Sequence, residues 1–395
     1  MKSIKTSLVL FLAIFIALPL ACMALSCRHD KKERSPSYKG KSSVRISYAN
    51  GDENPNLDNS PTINVGFDGE STYQPLIMDT GSCGITMSAN LFTPAPDAVN
   101  LGPGIVHYTD GTQNKELTGN YWTATQQIYN AKGNLQARAQ VPVLQATTET
   151  DLNTGVSRPS SGFALMGVGF GREGYVPGGM NVDSPLKTPA YNAFLNLTAV
   201  RIKGKLRRLP KDWTNGYIVS TEGAELGLTA KNTRKAGFIK LTPWPQFSTP
   251  CLPEWMPMSM TVCINDNCCG DGMSVMDTGI PNAILNPPPC ASDLENPVEN
   301  GVKISVFYPN NIKPVASYSF ITGQTNNPMA PSSVAIQARP TIYWNTSRHF
   351  LAGMNFVYDN TNGFAGFILH GNISRKEARV IPTRSKGLRG DFDGN

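Results

Sequence analysis

The stretch "PLIMDTGSCGITM" (75–87) has a near-copy in "SVMDTGIPNAIL" (274–285), and this pair decides how the chain is read. In both, an apolar run leads into Met-Asp-Thr-Gly and a second apolar run leaves it. Asp79 and Asp277 stand 198 residues apart. A lone Asp-Thr-Gly is usually a surface turn. One copy in each half, each set between apolar strands, predicts an internal duplication.

The surroundings of the two copies repeat as well. Downstream of each lies an apolar pair followed by glycine: Leu165, Met166 and Gly167 in "FALMGVG", and Leu351, Ala352 and Gly353 in "FLAGMNF". The chain has 395 residues, 40% hydrophobic and 16% charged, which provides for a packed core and excludes global disorder. With 36 glycines, 30 prolines and few stretches of helical period, it reads as turn-rich and mainly β. "GNYWTATQQIYNAKGNLQARAQVPVLQAT" (119–147) is predicted to be a long hairpin turning at Lys132–Gly133. "TPAYNAFLNLTAV" (188–200) is a candidate helix. The net charge of +6 is spread along the chain and forms no stripe of the kind that binds nucleic acid.

The N-terminus reads as an export signal, 1–26. Lys2 and Lys5 precede the apolar run "SLVLFLAIFIALPLAC" (7–22), and small residues follow. Cleavage before Cys27 would leave an N-terminal cysteine for lipid attachment to a membrane. The box "ALSC" is a poor one, so simple secretion and an uncleaved anchor stay open. A polar, basic segment, 27–43, is a tether or a short pro-segment. Export permits disulfides. In "VCINDNCC" (262–269), Cys263 and Cys268 are placed to bridge a hairpin, and Cys269 has Cys251 or Cys290 as partner. With Cys22 and Cys27 set aside as part of the signal region, Cys83 has no partner in its own half. A zinc knot in this cluster lacks a histidine to complete it.

An aspartate held between buried strands must be hydrogen-bonded or charge-paired. If the two copies meet on a two-fold axis, each carboxyl partners the other. Two carboxylates about 3 Å apart cannot both ionise, so they share one proton and titrate as a unit. One then acts as general base on water while the other donates a proton to a carbonyl. The chemistry needs no metal, cofactor or covalent intermediate. Gly81 and Gly279 allow the tight turn and an N–H aimed at the carboxylate. Thr80 and Thr278 can bond across the axis.

These motifs, in this order, resemble the pepsin-like aspartic proteases over most of the chain. The resemblance implies an all-β, bilobal fold with pseudo-two-fold symmetry. It divides the chain into an N-terminal lobe (44–215), a C-terminal lobe (216–372) and a basic tail (373–395). It implies a monomeric, exported endopeptidase with Asp79 and Asp277 catalytic and with loop support from Thr80, Gly81, Ser82, Thr278 and Gly279. "VHYTDGTQNKELTGNYW" (106–122) looks like the substrate-covering flap, with Tyr108, Gly111 and Thr112 against a polypeptide substrate. "GAELGLTAKN" and "YDNTNGFAGF" look like strands of the second lobe.

The departures from the family point the other way. Ser82 supplies a hydroxyl to the first carboxylate, but Ile280 and Pro281 stand where the second loop usually has one. Losing a bond to the ionised form is expected to raise a carboxylate's pKa and to shift or weaken activity. Thr109 replaces a common flap glycine, the usual Trp after the first loop is absent with Met87 nearby, and Ala352 is small for its place. The rival readings are an inactive pepsin-like binding protein and an exported structural lipoprotein. His107 reads as a strand residue, and the four histidines have no metal spacing. "GFGREG" (169–174) lacks the helix that a dinucleotide site requires. Asn196, Asn345 and Asn372 lie in N-x-S/T sequons.

Overall fold

The computed structural model describes residues 35–51, 54, 57–68, 72–109, 114–172, 189–249, 252–370 and 378–382. The export signal, Cys27, Cys251, Gly111, Thr112, Asn372 and the end of the basic tail lie outside the described residues. The described chain is all-β, in sheets of twelve, eight and six strands.

Tyr73–Asp79 and Cys83–Ser88, the strands flanking the first Asp-Thr-Gly, do not pair with each other. Ala164–Val168 lies between them, parallel to the first and antiparallel to the second, with Gly167 opposite both Asp79 and Gly84. Val143–Asp151 pairs beyond, parallel to Cys83–Ser88. On the other side come Thr62–Phe67, Thr125–Tyr129 and Leu135–Gln140, all antiparallel.

The second half repeats this plan. Tyr343–Asn345 lies between Asn267–Val275 and Ala283–Asn286, parallel to the first and antiparallel to the second. Val334–Ile336 pairs beyond, in parallel. Met258–Ile264, Lys303–Tyr308 and Ala316–Ile321 complete the other side. Seven strands thus recur in the same order and sense, and the predicted duplication is present as topology.

One part of the expected duplication is displaced. Leu351, Ala352 and Gly353 do not brace the second loop. His349–Ala352 is a 3-10 turn, and Gly353 packs against Met329 and leads into Met354–Asp359 of the six-stranded sheet. The strand equivalent to Ala164–Val168 is Tyr343–Asn345, which carries no glycine. The candidate helix is a second correction. Pro189–Tyr191 makes one 3-10 turn, and Leu197–Ile202 is a strand antiparallel to Leu135–Gln140. Thr198 and Val200 are β-branched, and the neighbouring strand edge rewards extension more than a short helix would reward its propensity.

The long hairpin is present in two stages. Thr125–Tyr129 pairs with Leu135–Gln140 around Gly133, whose φ is +73°, and Asn114–Trp122 pairs with Val143–Asp151. On the outer side of Asn114–Trp122 runs Asn100–Thr109, the sheet edge that bears Tyr108. Asn265 and Asp266 both take positive φ, the geometry of a two-residue turn between paired strands. There Cys263 is bonded to Cys268, and Cys269 takes Cys290.

The six-stranded sheet runs Val44–Ser47, Gly223–Leu226, Gly216–Val219, Met354–Asp359, Phe364–Leu369 and Gly237–Lys240. It packs against both duplicated units. Phe170 stacks on Tyr358 at 4.1 Å, and Tyr308 on Phe367 at 5.0 Å. Tyr217 donates its hydroxyl to the Val168 carbonyl. Ala378–Val380, within the stretch read as a basic tail, pairs with Ala316–Ile321.

Candidate active site

Each Asp-Thr-Gly comes at the end of a strand, Tyr73–Asp79 or Asn267–Val275, that becomes buried only as it reaches the tripeptide. The two tripeptides meet through a reciprocal exchange. The Thr80 amide donates to Thr278 Oγ1 at 3.0 Å, and the Thr278 amide to Thr80 Oγ1 at 3.1 Å. Each hydroxyl then donates onward to the opposite loop, Thr80 to the Met276 carbonyl at 2.7 Å and Thr278 to the Met78 carbonyl at 2.8 Å. All these groups are buried, where an unmade bond would cost about 1–3 kcal/mol. The threonines are the clamp that the sequence suggested.

The glycines bring the acids together. A Cβ on Gly81 would collide with the Asp277 carboxyl, and one on Gly279 with the Asp79 carboxyl. Each carboxyl therefore lies over the other loop's glycine. Asp79 and Asp277 are each only 6% exposed.

The donors to the two acids match in number, one backbone amide and one side-chain donor each. Asp79 Oδ1 accepts the Gly81 amide at 2.5 Å, and its Oδ2 accepts the Ser82 hydroxyl at 2.5 Å. Asp277 Oδ1 accepts the Gly279 amide at 2.8 Å, and its Oδ2 accepts Asn345 Nδ2 at 2.6 Å. The hydroxyl missing at Ile280 is thus replaced by an amide 68 residues beyond Asp277. The expectation that Asp277 lacks a side-chain donor is corrected. Ile280 packs instead against Val275, Ile284 and Tyr343. Asn345 is 3% exposed and committed to Asp277, so its sequon is not a glycan site. Its Oδ1 also accepts the Ser347 amide at 3.1 Å, which orients the side chain.

Burial is the main cause that pushes the Asp79 carboxyl well above the usual carboxylate range, and the charge of Asp277 adds to it. The Ser82 and Gly81 bonds act in the opposite sense without overcoming it. Asp79 therefore keeps its proton to a higher pH than an ordinary carboxyl does.

Tyr108 lies in the edge hairpin, packs on Phe163 at 5.0 Å and donates its hydroxyl to Thr86 Oγ1 at 3.0 Å. Burial first, and then the charge of Asp79 among others, raises its pKa against the Thr86 bond, so the phenol stays protonated. His107 pairs across the same hairpin with Glu116 at 2.7 Å, as a strand residue would.

Sequence reasoning missed three residues. Asn345 is the first. Arg348 is the second: it donates to the Leu57 and Asp58 carbonyls and to Ser60 Oγ, and it reaches the Gly279 carbonyl at 3.4 Å. It ties the second loop to the segment ahead of the first duplicated unit. Burial lowers its pKa to about 10, so it remains a cation. Arg172, discussed below, is the third. Asn345 and Arg172 lie in short motifs that point to other roles, a sequon and a G-x-G-x-x-G match, and only the tertiary register brings the three residues to the site. No protein-family model matches the chain, and no characterised protein is similar to it at a significant level.

Proposed function

We propose that this protein is an aspartic endopeptidase of the pepsin-like kind, exported from the cell. The observation that carries the reading is the facing pair of Asp-Thr-Gly loops, with each buried carboxyl lying over the other loop's glycine. The two disulfides among the described residues, together with the signal-like N-terminus, support export.

The proton is shared by the pair, and the cycle is written with it starting on Asp79. A water between the carboxyls loses a proton to Asp277 as its oxygen attacks the peptide carbonyl carbon. The carbonyl oxygen takes the Asp79 proton, giving a neutral diol. Asp277 then passes its proton to the amide nitrogen, the C–N bond breaks, and a diol hydroxyl returns a proton to Asp79. Acid and amine products leave, and the dyad is restored with one proton. The Gly81, Ser82, Gly279 and Asn345 donors hold the carboxylates in place throughout and need no reorganisation.

The test is cleavage of a denatured protein from pH 3 to 7, with and without pepstatin. Wild type is expected to cleave and to be inhibited. Asp79→Asn and Asp277→Asn are each expected to lose at least about a thousandfold in rate, since neither can complete the proton transfers alone. No cleavage at any pH, with residues 28–43 present or removed, would sink the reading.

A further inference from the structure

Beyond the brace strand the chain turns sharply behind the first loop. Gly169 is pressed against the Thr80 carbonyl, and Gly171, with φ +61°, against the backbone of Trp255 and Pro257. The Gly171 amide donates to the buried Glu254 carboxylate at 3.1 Å, and Phe170 is stacked on Tyr358. These contacts fix where Arg172 leaves the backbone. Its guanidinium lies within electrostatic reach of Tyr343, Asp277 and Asp79. Tyr343 is itself buried, two residues before Asn345, and carries Arg339 over its ring at 4.9 Å.

Arg172 is under-used in this setting. Its Nε and Nη1 are buried and have no hydrogen-bond partner among the described residues. Arg172 makes no ion pair within 4 Å among the described residues. A guanidinium has a fixed fork of donors that suits a carboxylate in bidentate fashion, and leaving it unfilled in a buried site is costly. The two acids nearby are already committed to the donors described above.

We propose that Arg172 forms an anionic subsite beside the dyad that takes a carboxylate of the peptide substrate, the side chain of Asp or Glu close to the bond that is cut. The proposal rests on the endopeptidase reading and deepens it. The two charges are compatible in pH. A peptide carboxylate ionises near pH 4, where the dyad still holds its shared proton.

The test uses statine-centred peptides, which bind without being cleaved. One series is blocked at both ends, with Glu or Gln placed in turn on each side of the statine. A second series is neutral, with a free or an amidated C-terminus. At pH 5.5 wild type is expected to bind one of the Glu peptides about ten- to a hundredfold more tightly than its Gln partner. In Arg172→Gln that ratio should fall to about one, and Arg172→Lys should restore part of it. The wild-type preference should also fade as pH falls through about 4, which tests the proposal even if the variants fail to fold. Preference for the free C-terminus alone, abolished in Arg172→Gln, would keep the carboxylate site but overturn the side-chain assignment. Equal binding of all Glu and Gln pairs would overturn the proposal and leave the peptidase reading intact. Binding of no statine peptide would overturn both.

Discussion

At the scale of single residues, the second carboxylate depends on Asn345. Among the described residues it supplies the one side-chain donor to Asp277 Oδ2, as Ser82 does for Asp79. A hydrogen bond to a charged group contributes about 1.5–3 kcal/mol, so Asn345→Ala should lower kcat by about ten- to a hundredfold. The acid limb of the pH–rate profile should move upward, because the ionised form has lost a donor. A purely structural role predicts neither the shift nor its reversal. The reversal is available within the loop: Ile280→Thr in the Asn345→Ala background puts a hydroxyl where the resembling family has one. Rate and acid limb should both recover in part, at a small stability cost for opening the Ile280 contacts with Val275 and Ile284. An unchanged acid limb in Asn345→Ala would argue that Asn345 only packs. The two aspartates and their loop residues were legible in the sequence because the tripeptide carries its own geometry. Asn345 was not, since its role arises only when a strand is laid between the two strands that flank the loop.

At the scale of elements, the two halves differ in how openly they declare themselves. Leu165, Met166 and Gly167 lie in the strand between those that flank the first loop, where Gly167 lets the backbone of Ser82 and Cys83 come close. In the second half the sequence offered Leu351, Ala352 and Gly353, a local match to the same pattern. The fold uses Tyr343–Asn345 instead, and Ser347 there adopts φ +58° without being glycine. Pattern alone could not choose, because the choice is made by pairing with Asn267–Val275 and Ala283–Asn286. The strand Asn267–Val275, which delivers Asp277, is fastened at its start by both disulfides. Cys269–Cys290 closes a loop with sequence separation 21, and Cys263–Cys268 one of only 5, already held by paired strands. Loop-closure entropy predicts a loss of about 3 kcal/mol for Cys269→Ser with Cys290→Ser, and at most about 2 kcal/mol for Cys263→Ser with Cys268→Ser. Denaturant midpoints of the two double variants, compared at equal m, check the order. The larger fall should belong to the 269–290 pair.

At the scale of the whole molecule, stability should rise as pH falls, and the groups responsible are buried carboxyls. Asp359 is fully buried at the turn that joins Met354–Asp359 to Phe364–Leu369 in the six-stranded sheet. Burial raises its pKa to about 6, in spite of bonds from the Asn362 side chain and amide. In the unfolded chain an aspartate titrates near 3.9. Between those values the folded protein keeps a proton that the unfolded chain has released. Stability is then full below about pH 4, declines as pH rises, and has lost the whole contribution above the folded pKa. A shift of about 2 units corresponds to roughly 3 kcal/mol for Asp359 alone. Asp79, also raised by burial, acts in the same sense and extends the decline to higher pH. Thermal unfolding from pH 3.5 to 7.5 should therefore show a falling Tm. Asp359→Asn keeps the side chain's size and lets the Asn362 amide turn to match. It should flatten the part of the slope between about pH 4 and 6, and Asp79→Asn should flatten the part above it. A Tm that instead climbs from pH 4 to 7, in wild type and both variants alike, would mean that paired surface carboxylates dominate. The acid-favouring bias would then not be built into these two sites. If the slopes divide as expected, the fold that holds the shared proton is most stable where that proton is retained.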